Sequence, residues 1–120
     1  MATIKQSMED LMTSDGAMCA ALVDSDSGMI LGQIGSGLDL EVAAAGNTEV
    51  VRAKLKTMRS LGINDAIEDI LITLGRAYHL IRPLATNDAL FVYIVLDRTR
   101  ANLAMARLQL KNIEKDLAVS

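Results

Sequence analysis

Hydrophobic and polar residues alternate along the chain with a period that changes several times. Each change of period predicts a new helix or strand. Over residues 3–14 the apolar residues recur at helical spacing, as on one face of an amphipathic helix. An Asp-Gly pair follows and ends this pattern. The apolar run 17–23, the turn-forming residues 24–28 and the second apolar run 29–34 then predict a β-hairpin.

The longest helical pattern runs from Leu38 to Leu61. Asp39 is the expected N-cap of this helix, and Gly62 stands where a glycine commonly ends a helix. Strand-like runs come next, and a helical pattern over residues 102–117 follows them. The strand-like runs are Ala66–Leu74, Ala77–Pro83 and Ala89–Leu96. The predicted order of elements is therefore α-β-β-α-β-β-β-α, and the predicted fold class is α/β (α+β).

The links between consecutive predicted strands are short, which favours hairpins and an antiparallel sheet. The runs 17–23 and 89–96 are apolar at both alternate positions. We therefore expect both faces of these two strands to be covered, which places them in the middle of the sheet. The run 66–74 contains two adjacent acidic residues, and Pro83 closes the run after it. Both features favour positions nearer an edge.

The long predicted helix carries two separate apolar stripes. The stripe expected to lie on the sheet consists of Leu40, Ala44, Thr48, Val51, Leu55 and Met58. Beside it is a charged sector, expected in solvent, of Glu41, Glu49, Arg52, Lys56 and Arg59. The third sector, here called the small-residue sector, consists of Val42, Ala43, Gly46, Val50, Ala53 and Thr57. Because a surface helix normally needs one apolar stripe, the small-residue sector predicts a second contact.

We interpret this second contact as self-association. Two copies that meet through the same helix form a two-fold interface, and an edge strand beside the helix can pair with its own copy. The predicted dimer interface is the small-residue sector together with Ile70, Leu71 and Ile72. The predicted partner-binding residues are Glu49, Arg52, Lys56 and Arg59. The alternative is that the first or the last helix of the same chain covers the small-residue sector.

Length and composition narrow the classes of protein. A chain of 120 residues, of which 51% are hydrophobic, predicts one domain over residues 1–120. A net charge of -3 and 2% aromatic residues argue against nucleic-acid binding. The only cysteine, Cys19, lies in an apolar run and is expected in the core. No apolar stretch is long enough to span a membrane, and the chain opens without a secretory leader, so we expect the cytoplasm.

Residues with catalytic or metal-binding potential are few and scattered. His79 is the only histidine and has no nucleophile at a recognised spacing, which favours a surface or core role. Glu68 and Asp69 are neighbours in a predicted strand and therefore point to opposite faces. The acidic segment 24–28 is better explained as a turn, and the glycines of 32–37 match no phosphate-binding motif. We predict no enzyme activity, no cofactor and no metal.

With these elements in place, the chain resembles the Roadblock (Roadblock/dynein light chain) superfamily, over about residues 5–117. The stretches that carry the resemblance are Gly16–Asp24, Asp26–Leu31, Leu80–Leu84, Ala89–Leu96 and Ala101–Arg107. The resemblance implies a five-stranded antiparallel sheet in the order 2-1-5-4-3, with the long helix on one face and the terminal helices on the other. It also implies a non-enzymatic protein that dimerises through the long helix and the third strand.

Function follows from the same resemblance. Bacterial Roadblock members regulate small Ras-like GTPases, and eukaryotic ones serve dynein and lysosomal scaffolds. We therefore expect a homodimeric regulator or scaffold of a small GTPase, which acts by ordering the switch segments of its partner because it supplies no catalytic group. One alternative is a structural subunit of a larger assembly that contacts no GTPase. Another is a small-ligand sensor with a cavity beneath the sheet.

Overall fold

The computed structural model describes residues 2–117, in which the helices and strands follow the predicted order. The elements are α1 (Ile4–Leu11), β1 (Ala17–Asp24), β2 (Ile30–Gly35), α2 (Leu40–Ser60), β3 (Ile70–Thr73), β4 (Ala77–Pro83), β5 (Leu90–Asp97) and α3 (Leu103–Asp116). The strands form one antiparallel sheet in the order β2-β1-β5-β4-β3. The predicted fold class and strand order are confirmed.

The sheet is covered on both faces, as expected. Helix α2 packs on one face against a cluster that includes Phe91, Tyr93 and Val95 of β5. Helices α1 and α3 pack on the other face, where the alternate residues of β5 point. Residues 90–96 are all buried, and Cys19 of β1 is buried as predicted. Because strands covered on both sides need apolar residues at every position, the pattern placed β1 and β5 correctly in the centre.

The ends of α2 are set by local chemistry. The Asp39 carboxylate accepts hydrogen bonds from the backbone N–H groups of Glu41 and Val42, an N-cap worth about 1 kcal/mol. At the other end Gly62 has a φ of 72°, and the N–H group of Ile63 donates to the carbonyl of Met58 at 2.9 Å. This is a Schellman motif, in which glycine tolerates the left-handed conformation. Both predicted ends are confirmed.

Helix α1 is shorter than the predicted 3–14. It begins after Thr3, whose side chain and that of Gln6 form a capping box, and it ends at Leu11. The next residues continue as turns, because Thr13 donates to the carbonyl of Asp10 and Ser14 to that of Leu11. These hydrogen bonds span three residues rather than four, so the helical geometry tightens before the chain enters β1.

Strand β3 is also shorter than predicted, and here the 66–74 boundary is wrong. The ladder between β3 and β4 begins only at Ile70, which pairs with Ile81. Before this residue the chain is held by side chains: Asp69 forms an ion pair with Arg107 of α3. Glu68 and Asp69 therefore precede the strand, and the expectation that they occupy opposite faces of it does not apply.

The two edges of the sheet differ. In β2 the register against β1 shifts, so that Leu31 is an extra residue between the pairs Val23–Ile30 and Leu22–Gly32. A bulge of this kind twists an edge and blocks further pairing. Strand β3 carries no bulge, no proline and no charge in the sequence Ile-Leu-Ile-Thr. It is therefore the edge at which another strand can add.

Candidate interaction surface

The sheet-facing stripe of α2 lies where the sequence placed it, with one exception. The buried residues of the helix are Leu40, Ala44, Thr48, Val51 and Met58. Leu55 is 36% exposed, because it lines an open groove at the end of the sheet instead of packing on the strands. Leu55 therefore presents an apolar side chain to this groove.

The small-residue sector of α2 is open to solvent in the single chain. Val42 is 67% exposed and Val50 is 37% exposed, and a Cβ added at Gly46 would meet no atom within 4 Å. Ala53 and Thr57 are also exposed, while Ala43 is half-buried against the α2-side core. Helices α1 and α3 lie on the opposite face of the sheet, so the alternative that they cover this sector is wrong.

The residues of strand β3 divide between the two faces of the sheet. Ile70 packs against the α2-side core, and Ile72 shares that face because strand residues alternate. Leu71 points the other way and packs against the core beneath α1 and α3. Of the three predicted strand residues, only Ile70 and Ile72 therefore place side chains on the α2 face of the sheet. Leu71 contributes only its backbone to the strand edge, because its side chain packs on the opposite face.

His79 lies on the same face, one strand in from the edge. Its Nδ1 is 2.9 Å from the hydroxyl of buried Tyr93, and the two rings meet edge to face with centroids 5.4 Å apart. Burial lowers the pKa of His79. Burial also raises the pKa of Tyr93 to about 12, against the effect of a hydrogen bond with the Asn47 side chain. The Tyr93 hydroxyl therefore keeps its proton and forms a hydrogen bond with the His79 ring, which supports a satisfied structural histidine.

The predicted partner-binding residues all lie on the exposed surface of α2. Among residues 2–117, Arg52 is the only one of the four whose side chain forms a hydrogen bond or an ion pair: its guanidinium donates to the carbonyl of Asp26 in the β1–β2 turn. Charge is divided along the helix. The first half holds Asp39, Glu41 and Glu49 and no cation, and the second half holds Arg52, Lys54, Lys56 and Arg59 and no anion.

Other candidate sites from the sequence do not assemble. The segment 24–28 is a turn in which the Asp24 carboxylate accepts from the N–H group of Asp26, and Gly28 has a φ of 77°. Within residues 2–117 no group of three potential metal ligands converges. In the same range no helix has both the length and the apolar character needed to cross a membrane.

Two structural features near this surface had no signal in the sequence pattern. One is the buried ion pair between Arg82 of β4 and Glu114 of α3, with Nε and Oε1 3.1 Å apart. The other is the groove beside Leu55, to which the segment 65–68 and the β4–β5 turn contribute. Both bring together residues from distant parts of the chain, so local spacing does not reveal them.

A three-layer arrangement of α2, a sheet ordered 2-1-5-4-3 and two terminal helices defines the Roadblock/LC7 fold. The chain has this fold, as solved structures show. The Roadblock/LC7 domain from Streptomyces avermitilis matches with a TM-score of 0.82 at 13% identity, over 96% of this chain and 94% of the other. MglB, the gliding protein of Thermus thermophilus, matches with a TM-score of 0.78 at 18% identity, over 92% and 82%.

A further match is MglB from Myxococcus xanthus, with a TM-score of 0.78 at 15% identity over 93% of this chain and 91% of the other. Identities this low establish a common fold and leave function to be argued separately. No family model matches the sequence, and no curated protein matches it either. The resemblance drawn from the residues is therefore confirmed at the level of the fold.

Proposed function

We propose that the chain forms a two-fold homodimer through the small-residue sector of α2 and the edge of β3, and that this dimer regulates or scaffolds a small Ras-like GTPase. The observations that carry the proposal are the exposure of Val42, Gly46 and Val50 on α2 and the unprotected edge of β3. Burying an exposed valine stabilises a complex by roughly 1 to 2 kcal/mol, and the two-fold axis doubles every such contact.

The geometry of the two surfaces supports a single arrangement. If two β3 edges pair antiparallel, the two-fold axis stands perpendicular to the sheet, and the α2 helices above it run antiparallel. The acidic first half of each α2, which includes Glu49, then faces the basic second half of its partner, which includes Lys54. This charge pattern favours the antiparallel arrangement over a parallel one, which would place like charges together. The strand edge and the helix charges thus both favour the antiparallel dimer.

The GTPase part of the proposal rests on the Roadblock resemblance, in which bacterial members regulate small Ras-like GTPases. The structural likeness to two MglB proteins supports a resemblance to the bacterial members rather than the eukaryotic ones. In the dimer, the charged sectors of both α2 helices lie on one outer surface, where Lys56 and Arg59 of each protomer are free to contact a partner. The dimer acts on the conformation of the GTPase switch segments, since it brings no catalytic group of its own.

The test is recovery of a GTPase whose binding depends on nucleotide. Immobilised protein is incubated with extract of the source cell containing either a non-hydrolysable GTP analogue or GDP, and bound proteins are identified by mass spectrometry. We expect a Ras-like GTPase in the GTP-analogue sample only, and its loss with Lys56→Glu/Arg59→Glu. The matched control is Lys5→Glu/Lys111→Glu, which makes the same charge change on exposed residues of α1 and α3.

Two results would overturn the GTPase proposal. If the same partner is recovered with either nucleotide and is not a GTPase, the chain is a structural subunit of a larger assembly. If the control variant loses the GTPase as completely as Lys56→Glu/Arg59→Glu does, recognition depends on overall charge and not on the outer surface of α2.

A further inference from the structure

A groove of about 460 Å³ opens at the end of the sheet, beside the second half of α2. Its apolar lining includes Val51 and Leu55 of the helix, Ile67 from the segment before β3, and Leu84 after β4. The groove exists because β3 is short. The ladder ends at the pair Ile70–Ile81, so the last residues of β4 have no partner in β3. The segment 65–68, which precedes β3 and does not join the sheet, forms the outer wall of the groove.

This wall is held in place by charged side chains. Arg107 of α3 binds the Asp69 carboxylate through two hydrogen bonds of 2.9 and 3.2 Å. Arg82 donates to the carbonyl of Glu68 at 3.3 Å, and Glu114 holds the guanidinium of Arg82 from the other side. A buried ion pair contributes little net stability compared with apolar residues of the same volume. The Arg82–Glu114 pair instead holds the guanidinium that binds the carbonyl of Glu68, and so fixes the position of the wall.

The rim of the groove is acidic. Asp65, Glu68 and Asp88 are exposed and line the opening, and neither ion pair found within residues 2–117 involves them. The one cation in the lining, Arg82, is buried and already neutralised by Glu114. The groove therefore combines an apolar floor with three uncompensated negative charges. A ligand that matches it carries an apolar side chain flanked by cations.

We propose that this groove binds a short basic segment of another protein, with one or two aliphatic side chains placed on the floor and flanking Lys or Arg residues against the three rim carboxylates. Its volume is of the size that holds such side chains. The site goes beyond the dimer and GTPase contacts, since its determinants lie outside the small-residue and charged sectors.

A second copy of the chain is a poorer occupant. In the antiparallel dimer, the part of the partner that approaches the second half of α2 is the first half of the other α2, which holds Asp39 and Glu41 and no cation. Those charges oppose the acidic rim. A basic segment from a different protein satisfies the rim, whereas the dimer itself does not.

The test uses two fluorescein-labelled hexapeptides, KRLIRK and its charge-reversed counterpart EELIEE, in anisotropy titrations with the full chain at low salt. We expect KRLIRK to bind roughly tenfold more tightly than EELIEE. Asp65→Lys/Glu68→Lys should abolish this preference, and Ile67→Ser should weaken KRLIRK binding without changing net charge. The matched control is Glu9→Lys/Asp10→Lys, which changes two exposed acids of α1 and should leave binding unchanged. Circular dichroism confirms that each variant is folded.

The same titration is repeated in the Val50→Glu/Ala53→Glu background, which the proposed function predicts to be monomeric. If this variant binds the peptide with unchanged affinity, the groove is independent of the dimer interface. Each of the two proposals can then be disproved without the other. Equal affinity for the two peptides would overturn the inference, as would equal losses in the rim and control variants. A rim variant that weakens dimerisation and leaves peptide binding intact would make the groove a subunit contact and overturn it too.

Discussion

Arg107 of α3 binds the carboxylate of Asp69 with two of its guanidinium nitrogens, at 2.9 and 3.2 Å, although 38 residues separate them. Asp69 is the last residue before β3, so this contact fixes where the strand begins. The strand edge proposed for dimerisation starts at the same point, and the groove wall lies just before it. One ion pair therefore divides the segment between α2 and β4 into two surfaces.

Removal of this ion pair should loosen the segment without unfolding the domain. Arg107→Met keeps the apolar stem and removes the guanidinium, and the pair is partly exposed, with 40% of the Arg107 side chain and 18% of the Asp69 side chain accessible. We expect a loss of about 1 kcal/mol in the free energy of unfolding, measured with urea. A double-mutant cycle with Asp69→Asn isolates the pair, and a coupling energy near zero would contradict the contact.

The buried pair Arg82–Glu114 should respond differently. Glu114→Leu leaves the Arg82 guanidinium buried without its carboxylate, and we expect a loss of about 3 kcal/mol in the free energy of unfolding. Arg82→Leu/Glu114→Leu removes both charges, and it should be more stable than the single variant. A double variant less stable than Glu114→Leu would mean that the charges stabilise the fold as well as position the groove wall.

Stability should depend on pH through His79. Burial lowers the pKa of this residue from its ordinary value of 6.5, so the folded state holds its proton more weakly than the unfolded chain. The contribution of neutral His79 is complete above pH 6.5 and is lost as the pH falls through the lowered pKa. The side chain in His79→Gln keeps a group that hydrogen-bonds to the Tyr93 hydroxyl and does not titrate, so this variant should lose less stability between pH 7.5 and 5. Identical pH profiles for the two proteins would contradict the assignment.

Much of the fold was predictable because it rests on local patterns. Asp39 and Gly62 mark the ends of α2 through caps that need only neighbouring residues. The central position of β5 follows from apolar residues at every position. The two faces of β3 were predictable as well. Successive strand residues point to opposite faces of a sheet, so Leu71 must point away from the face that Ile70 and Ile72 share.

The remaining features depend on contacts between distant residues. The start of β3 is set by Arg107, and the groove wall is held by Arg82 and Glu114, none of which is near in sequence. Leu55 falls on the sheet-facing stripe by its spacing, yet it is exposed because it lines the groove left where β3 begins late. Helical periodicity gives the direction of a side chain, but not what lies opposite.

Gly46 offers a test in which stability and association change in opposite directions. Glycine in a helix costs about 1 kcal/mol relative to alanine, and a Cβ at this position meets nothing within the chain. Gly46→Ala should therefore raise the free energy of unfolding by about that amount in the Val50→Glu/Ala53→Glu background. In the otherwise unchanged chain it should weaken the dimer, since two α2 helices approach there. Unaltered association would show that the helices do not meet at Gly46.

The most direct test of the account is the mass of the chain in solution, measured by sedimentation velocity from roughly 1 to 100 µM, the range in which a specific dimer of moderate affinity forms. We predict a species of twice the chain mass of 12.9 kDa. Val50→Glu/Ala53→Glu should convert it to single chains, and the exposed control Lys5→Glu/Lys111→Glu should not. Single chains of the unaltered protein at every concentration would contradict the dimer, and with it the proposed role.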